Sequence, residues 1–351
     1  MIDDNKLIYS RECEYLIVNS FLENFTVAHA LSTALDIGLI DLIKEQGSCS
    51  IKQASQTIEG DQMGLQLLCD LLQSASVVNF TDDRYALSSE FIKALKYRDF
   101  LQAQIDFASL VTPDIINLFP LLIQSAEAFM RKAQLFELFD YNRALEVNED
   151  NYQFTARWMN YTTALTRYES RVCMAHHNFS QYKTMMDIGG NSGEFTLQLC
   201  KQNPQLSATV IDLPVVCSVG RNHVGREPES KQIQFVEADA LNHNLPKSFD
   251  LITFKSILHD WPEFAVERFL ENASHSLKPG GTLMIFERSR LEISNKPLPY
   301  YMVPMLLFFR SFRSPEFYRQ QLTSLGFVDI SIDYIMLESS FYLLTAEKAG
   351  R

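Results

Sequence analysis

The chain has 351 residues, of which 46% are apolar and 21% are charged, and this composition excludes a disordered chain and a disulfide-stapled mini-protein. Its formal net charge of −12 makes nucleic acid and anionic membrane surfaces poor partners. The length predicts two domains, or one large domain with a long extension.

Six cysteines are scattered along the sequence, without a C-x-x-C pair or a zinc-binding spacing. The chain begins with acidic residues rather than a basic leader, and its longest uncharged apolar run, 298–309, is shorter than a membrane span and contains two prolines. These patterns predict a reduced, cytoplasmic protein with no membrane span and no metal site.

The first half of the chain has the periodicity of helices. Apolar residues recur at helical spacing over 21–44, with an interruption at Gly38, and 65–72 predicts a further helix. A strand–turn–strand pattern follows over 77–87, and mostly helical sequence continues over 100–180.

Two helices followed by a hairpin are similar to a winged-helix unit, which would suggest DNA binding. Arg84 is the only basic residue between positions 53 and 90, however, so this region lacks the positive charge that phosphate contacts need. We therefore expect it to serve as a dimerisation or lid module.

The second half alternates short apolar strands with helices. Helices are predicted over 194–202 and 263–277, and strands over 184–189, 208–213, 233–238, 249–254, 282–287, 328–334 and 340–347. Alternating βα units predict a parallel sheet covered on both faces, and the short turn between the last two strands predicts an antiparallel hairpin.

A glycine-rich loop links the first of these strands to a helix. Gly189, Gly190 and Gly193 do not fit the G-x-G-x-x-G spacing of dinucleotide sites, and Asp187 would repel a pyrophosphate while suiting a cationic amino group. Asp212 ends the next strand, near the ~20-residue offset of an acid that binds a ribose diol. The pattern favours S-adenosylmethionine (SAM); a dinucleotide site and a purely structural turn are the alternatives.

Two further strand ends carry candidate chemistry. Asp239 is placed to accept from an adenine amino group, although a solvated loop aspartate is the alternative. Among the seven histidines, His259 alone follows a strand end with acids expected nearby. Its imidazole is a candidate general base, and Glu287, at the end of the next strand, is placed to hold the Nδ1 proton.

Taken together, these residues resemble those of the small-molecule O-methyltransferases of the plant caffeic-acid type and their bacterial natural-product relatives. The resemblance covers nearly the whole chain, and its order is specific although each piece alone is weak. The segments that carry it are 34–39, 68–72, 85–88, 187–190, 212–214, Asp239, Lys255, 259–261, 278–281 and 325–327.

The resemblance implies a Rossmann-like, seven-stranded α/β SAM-methyltransferase sheet, preceded by a mainly helical, winged-helix-like dimerisation domain. The implied divisions are a dimerisation domain over 1–100, a helical linker that covers the substrate over 101–175, and a SAM-binding methyltransferase domain over 176–351. It also implies a homodimer, a small-molecule acceptor and a reaction that needs no metal.

The resemblance also implies roles for single residues. His259 is the base, and Glu287 and Asp260 are the other catalytic candidates. The candidate cofactor-binding residues are Asp187, Gly189, Gly190, Gly193, Asp212, Leu213, Asp239, Ala240, Lys255 and Trp261. The helix before the glycine loop contributes Trp158, Met159 and Thr163 to the lining of the cofactor and acceptor sites.

Two departures from the family pattern concern the acceptor. Phe312 stands where many relatives have a second acid, and 301–307 lacks the aspartate that often faces the acceptor. We therefore expect a single carboxylate partner for His259 and an apolar acceptor pocket. Met302, Met305, Phe308, Phe309 and Phe312 are candidates for its wall, with core packing as the alternative.

Transfer of a methyl group from SAM to a hydroxyl of an aromatic or polyketide-like secondary metabolite is the favoured function. Methylation of carbon or nitrogen is an alternative, since the second acid is missing. A relative that binds SAM but catalyses decarboxylation, hydroxylation or cyclisation is another. A DNA-binding regulator is disfavoured by the charge.

Overall fold

The structure, a computed structural model, describes residues 11–137, 141–293 and 297–350. The chain forms two compact units, one from Met1–Pro113 with Ile293–Pro304 and the other from Asp114–Glu292 with Met305–Arg351. The expected divisions near residues 100 and 175 stay predictions.

The first unit is mainly helical and opens with a 3₁₀ helix, Arg11–Phe21. Gly38, with a φ of +79°, separates its first two α-helices and confirms the predicted interruption. The α-helices in chain order, of which the last extends past the end of the unit, are α1 (Phe25–Asp36), α2 (Leu39–Gln46), α3 (Ile51–Thr57), α4 (Gln62–Ser74), α5 (Ser89–Ala94) and α6 (Arg98–Gln124).

The predicted strand–turn–strand is present between α4 and α5. Strands β1 (Val78–Thr81) and β2 (Arg84–Leu87) pair antiparallel. Asp82 and Asp83 between them both have positive φ, which is the backbone of a two-residue hairpin turn that matches the strand twist. The guanidinium of Arg84 donates within the unit, to Ser48 and Gln53.

The helical stretch Ser89–Gln124 is long and apolar enough to cross a membrane by length and composition, and 44% of its most apolar window is buried. Buried core helices of soluble proteins pass the same test, so this is weak evidence for a span. The expectation of no membrane span stays a prediction.

The second unit carries the predicted alternation of strands and helices. Its strands are β3 (Thr184–Ile188), β4 (Ser207–Asp212), β5 (Ile233–Glu237), β6 (Phe249–Lys255), β7 (Leu277–Arg288), β8 (Phe327–Met336) and β9 (Ser340–Lys348). Its remaining α-helices are α7 (Ala126–Lys132), α8 (Glu149–His176), α9 (Glu194–Gln202), α10 (Pro214–Val224), α11 (Glu263–Ser276) and α12 (Pro315–Ser324).

These seven strands form one sheet in the order β5-β4-β3-β6-β7-β9-β8. The first five are parallel, while β9 pairs antiparallel with both β7 and β8, which confirms the predicted sheet and its closing hairpin. The strand order reverses between β3 and β6. In open parallel sheets, ligands bind beyond the carboxyl ends of strands at such a reversal.

The central strands of the sheet are buried on both faces. On one face, Ile285 and Leu344 pack with Phe269 of α11 and Tyr318 of α12. The alternate positions of β7, including Met284 and Phe286, are also almost fully buried. The near-continuous apolar runs seen in the sequence therefore follow from burial on two sides.

Candidate active site

The glycine-rich loop lies at the carboxyl end of β3 and begins α9. Gly189 and Gly193 have φ of +68° and +74°. A Cβ on Gly189 would lie 1.8 Å from Cδ1 of Ile257, and one on Gly190 would lie 2.7 Å from Oδ2 of Asp187. The loop thus needs glycine both for its backbone conformation and for the close approach of the β6 loop.

Asp187 lies inside the protein beneath this loop and is 1% exposed. Its Oδ1 accepts from Oγ1 of Thr253 at 2.7 Å, and its Oδ2 accepts from Oγ1 of Thr196 at 2.9 Å. Burial raises the pKa of the carboxyl to about 6 despite these hydrogen bonds. Its expected contact with an ammonium group stays a prediction, because both oxygens already have partners in the protein.

Asp212, at the end of β4, connects its strand to the glycine loop. Its Oδ2 accepts from the backbone N–H of Asn191 at 2.8 Å, and its Oδ1 accepts from the N–H of Leu213 at 2.8 Å. Burial raises the pKa of this carboxyl to about 6 as well. The structure therefore brings the expected ribose-binding acid to the loop that precedes α9.

Asp239 and Ala240 follow β5 and shape the next loop. The carboxylate of Asp239 accepts from the N–H of Leu241 and the side chain of Asn242, so it forms a local turn. Ala240 is buried, and its carbonyl accepts from Asn272 of α11. A bond from Asp239 to adenine stays a prediction.

Helix α8 contacts the glycine loop through two threonines. Oγ1 of Thr163 donates to Oγ of Ser192 at 2.7 Å, and Oγ1 of Thr162 donates to Oδ1 of Asn191 at 3.2 Å. The other two site candidates on this helix, Met159 and Trp158, are buried and half-buried, respectively. The helix expected to line the site therefore lies against the loop, whereas a contact of these side chains with an acceptor stays a prediction.

Lys255, at the end of β6, belongs to a buried charge network that the sequence did not indicate. It pairs with Glu169 of α8, which also accepts from Nη2 of Arg288 at 2.6 Å. Arg288 donates in turn to Glu338, in the turn between β8 and β9. Burial would raise the pKa of Glu169, but Lys255 and Arg288 outweigh it and hold the pKa at about 2. The network joins α8 to the ends of β6 and β7.

His259 and Glu287 meet as predicted, at the carboxyl ends of neighbouring parallel strands. Nδ1 of His259 lies 2.8 Å from Oε1 of Glu287, and the two residues are 8% and 1% exposed. Burial alone would lower the pKa of the imidazole. The charges of Glu287 and Asp260 outweigh burial, so the pKa of His259 is raised.

The expectation of a single carboxylate partner for His259 is wrong. Asp260 follows it in a 3₁₀ turn, Leu258–Asp260, which places Oδ1 of Asp260 3.3 Å from Nε2 of the imidazole. The imidazole therefore has a carboxylate beside each of its two ring nitrogens. Oδ2 of Asp260 also accepts from the hydroxyl of Tyr141 at 3.1 Å.

Two aromatic rings pack against the imidazole, one of them at position 312. The ring of Phe308 stands perpendicular to it at 5.2 Å, and the ring of Phe312 is tilted at 5.1 Å. Phe308 is among the residues that the sequence offers for the acceptor wall, and that role stays a prediction. These contacts support the expected apolar surroundings of the candidate base.

Trp261 closes the loop that carries His259. Its ring lies 5.2 Å from that of Tyr141, and its indole N–H is buried with no hydrogen-bond partner among the described residues. The hydroxyl of Ser256, in the same loop, is likewise buried and has no partner in the described part of the chain. Unsatisfied polar groups are uncommon in protein interiors, and this loop contains two of them.

The remaining candidates lie along the segment before α12. Met302 belongs to the first unit, while Met305 and Phe309 belong to the second. Met302 and Met305 are buried, and the guanidinium of Arg310 lies 4.2 Å above the ring of Phe309. Their contact with an acceptor stays a prediction.

His259 is not the only histidine beside an acid. Nε2 of His223, on α10, lies 2.5 Å from Oε2 of Glu194, the first residue of α9. The sequence did not show this pair, because it depends on how α9 and α10 pack. In the described ranges, no group of three metal-ligating side chains could hold a metal ion, and a metal-independent reaction stays a prediction.

The chain is similar in sequence to known methyltransferases. A model described as an O-methyltransferase domain matches residues 126–328. Acetylserotonin O-methyltransferase of Homo sapiens is 25% identical over 337 residues, which cover 91% of this chain and 94% of the relative. A probable bifunctional dTTP/UTP pyrophosphatase/methyltransferase protein of Homo sapiens is 24% identical over 276 residues, 76% of this chain but only 43% of that longer protein.

A solved structure of human N-acetylserotonin methyltransferase in complex with SAM has the same fold. It superposes with a TM-score of 0.73 at 21% identity and covers 98% of this chain and 99% of that one. The likeness supports the architecture described above.

Proposed function

Because the chain belongs to the O-methyltransferase domain family, we propose that it transfers a methyl group from SAM to a hydroxyl of a small aromatic or polyketide-like molecule. His259 is the proposed general base, and Glu287 orients it. The observation that carries the proposal is the 2.8 Å contact between these side chains at the carboxyl ends of β6 and β7, in the sheet whose strand order reverses at the glycine loop.

The residues present fit SAM as the cofactor. The loop at Gly189 leaves no room for a Cβ, Asp212 is held against that loop, and the indole N–H of Trp261 has no partner among the residues that the structure describes. Backbone groups of the glycine loop, Asp212 and Trp261 would hold the cofactor, with Asp239 towards its adenine. When bound, SAM supplies a methyl group on a sulfonium, which a nucleophilic oxygen can accept.

The proposed role of His259 is to take the proton that the acceptor hydroxyl loses. Glu287 accepts from Nδ1–H, which leaves the lone pair of Nε2 available as the base. A phenol of pKa about 10 and an ordinary imidazole of about 6.5 differ by roughly 3.5 units, or about 4.8 kcal/mol. The raised pKa of His259 narrows this gap, and Asp260 beside Nε2 stabilises the imidazolium that forms.

An assay with SAM and a panel of hydroxylated aromatic compounds tests the proposal. The wild type should form S-adenosylhomocysteine together with an O-methylated product. His259→Ala should lose turnover while calorimetry still shows SAM binding, and His275→Ala, a change of an exposed histidine on α11, is the matched control. Full turnover by His259→Ala would refute the base assignment.

The absence of an acid at position 312 keeps carbon or nitrogen methylation as a second candidate. NMR of the product identifies the atom that carries the new methyl group. Turnover of an acceptor without S-adenosylhomocysteine would instead indicate decarboxylation, hydroxylation or cyclisation on the same scaffold.

We also propose that the chain forms a homodimer through its helical N-terminal unit. Met63 and Leu67 of α4 are 84% and 61% exposed, an arrangement that favours an apolar contact with a partner. Light scattering should give twice the chain mass of 40.3 kDa, and Met63→Lys/Leu67→Lys should shift it towards the monomer.

A further inference from the structure

The guanidinium of Arg313 reaches the loop that carries His259. Arg313 lies just before α12, and its Nη1 donates to the carbonyl of Leu258 at 2.9 Å. Its Nη2 donates to the carbonyl of Trp261 at 2.5 Å. These two carbonyls stand on either side of His259 and Asp260, so one side chain brackets both residues.

Few local hydrogen bonds hold the bracketed backbone. Its 3₁₀ helix has three residues; the N–H of Asp260 donates to the carbonyl of Ile257 at 3.1 Å, and the N–H of Trp261 donates to the carbonyl of Leu258 at 3.3 Å. Short 3₁₀ segments have poor hydrogen-bond geometry. Pro262 follows directly and has no N–H to contribute. An external donor is therefore well placed to fix the loop.

The same short segment also contacts the imidazole itself. Phe312 places its ring 5.1 Å from that of His259, while the next residue, Arg313, holds the backbone on both sides. The guanidinium of Arg313 lies 5.6 Å from the ring of Phe317 in α12, and this contact further limits its movement. The ring position and the loop position of His259 thus depend on two adjacent side chains.

We propose that Arg313 is a positioning residue, whose guanidinium fixes the backbone around His259 so that Nδ1 stays on Glu287. The inference rests on the proposed role of His259 as the base. It concerns the geometry of the loop, which can be measured without an acceptor.

Arginine suits this task because its planar fork donates to two acceptors at once, whereas a lysine ammonium is a point charge on a flexible stem. Arg313→Lys therefore keeps the positive charge but loses the simultaneous hydrogen bonds to the carbonyls of Leu258 and Trp261. Arg310→Lys is a matched control, since Arg310 lies three residues earlier and donates to the carbonyls of Leu122 and Ile123, away from the loop.

Histidine-selective ¹⁵N NMR reads out the geometry, with His259 assigned by comparison with His259→Ala. In the wild type and in Arg310→Lys, the Hδ1 proton of His259 should be protected from exchange and shifted far downfield by Glu287. In Arg313→Lys this signal should broaden or disappear. An unchanged Hδ1 signal in folded Arg313→Lys would overturn the proposal.

The pH titration of the non-exchanging Hε1 and ring ¹⁵N signals of His259 gives a second measure. Glu287 and Asp260 raise the pKa of His259, while burial and the charge of Arg288 lower it. Loosening the loop weakens the contact with Glu287, so the pKa in Arg313→Lys should fall towards its ordinary value. The same titration curve for His259 in the wild type and in Arg313→Lys would contradict the proposed positioning role of Arg313.

If Arg313→Lys does not fold, a measurement on the wild-type protein still tests whether Arg313 fixes the loop around His259. Arginine-selective ¹⁵N spectra should show separate, slowly exchanging Nη resonances for Arg313, because both ends are bonded. A freely rotating guanidinium would overturn the proposal.

Turnover separates this inference from the proposed function. Once an acceptor is identified, Arg313→Lys should lower kcat on the order of 10²-fold, with unchanged calorimetric affinity for SAM. If His259→Ala retains full turnover, the base assignment fails, while the NMR outcome still decides whether Arg313 positions the loop.

Discussion

Oε1 of Glu287 lies 2.8 Å from Nδ1 of His259, although the two residues belong to different strand ends and are both buried. The parallel pairing of β6 with β7 brings them together, since Lys255 is in register with Phe286.

Glu287→Gln should lower kcat/KM on the order of 10²- to 10⁴-fold, because an amide neither fixes the Nδ1–H tautomer nor stabilises the imidazolium. Activity requires neutral His259 and so rises with pH through its pKa. Loss of the carboxylate lowers that pKa, so the acid limb of the pH–rate profile should move to lower pH. Glu292→Gln, at an exposed position, is the control. A profile with an unmoved acid limb would contradict the pairing.

Gly189→Ala should destabilise the fold and abolish SAM binding. Positive φ costs a non-glycine residue about 1–2 kcal/mol, and overpacking against Ile257 adds roughly 1–3 kcal/mol. Gly326→Ala separates the two effects, because Gly326 has a φ of +81° with nothing within 4 Å of its Cβ position. Urea unfolding should show the larger loss at Gly189, and equal losses would remove the steric argument.

Asp187→Asn should increase the free energy of unfolding at pH 8 by roughly 1–3 kcal/mol, since burial raises the pKa of this carboxyl from 3.8 to about 6. The folded state binds the proton more tightly, so this group adds stability as the pH falls from about 6 towards 4. The variant should lack that rise. The same variant should lose affinity for SAM if the charge serves the cofactor, and unchanged affinity would assign Asp187 a purely structural role.

The pKa of Asp250 is lowered rather than raised, so Asp250→Asn serves as the control. Burial would raise the pKa of Asp250, but hydrogen bonds from Lys278 and Thr184 outweigh it and hold the pKa at about 2. Its contribution is present above the ordinary pKa of 3.8 and is lost as the pH falls towards 2. This variant should therefore be less stable than the wild type at neutral pH. If Asp187→Asn and Asp250→Asn changed the free energy of unfolding in the same direction, the causes assigned to the two pKa shifts would be contradicted.

The site residues that lie at strand ends could be predicted from the sequence. Apolar runs place His259 and Glu287 at adjacent strand ends, and parallel pairing then makes them neighbours. The position of Asp260 could not be predicted, because it depends on a 3₁₀ turn that returns its carboxylate to Nε2. Glu169 was missed for a related reason: a helix and two strand ends must pack before its partners, Lys255 and Arg288, are recognisable.

Phe312→Leu should raise KM for a flat aromatic acceptor about tenfold, since an aromatic contact contributes roughly 0.5–1.5 kcal/mol beyond its buried area. The ring of Phe312 lies 5.1 Å from the imidazole, so its loss removes apolar surface beside the proposed base. Affinity for SAM should not change, because the cofactor candidates lie on other loops. Phe264→Leu, at a position 75% exposed on α11, controls for the loss of a ring, and steady-state kinetics with an acceptor found in the panel of hydroxylated aromatic compounds measures both variants. An unchanged KM in Phe312→Leu would leave this ring with core packing as its role and would place the acceptor away from it.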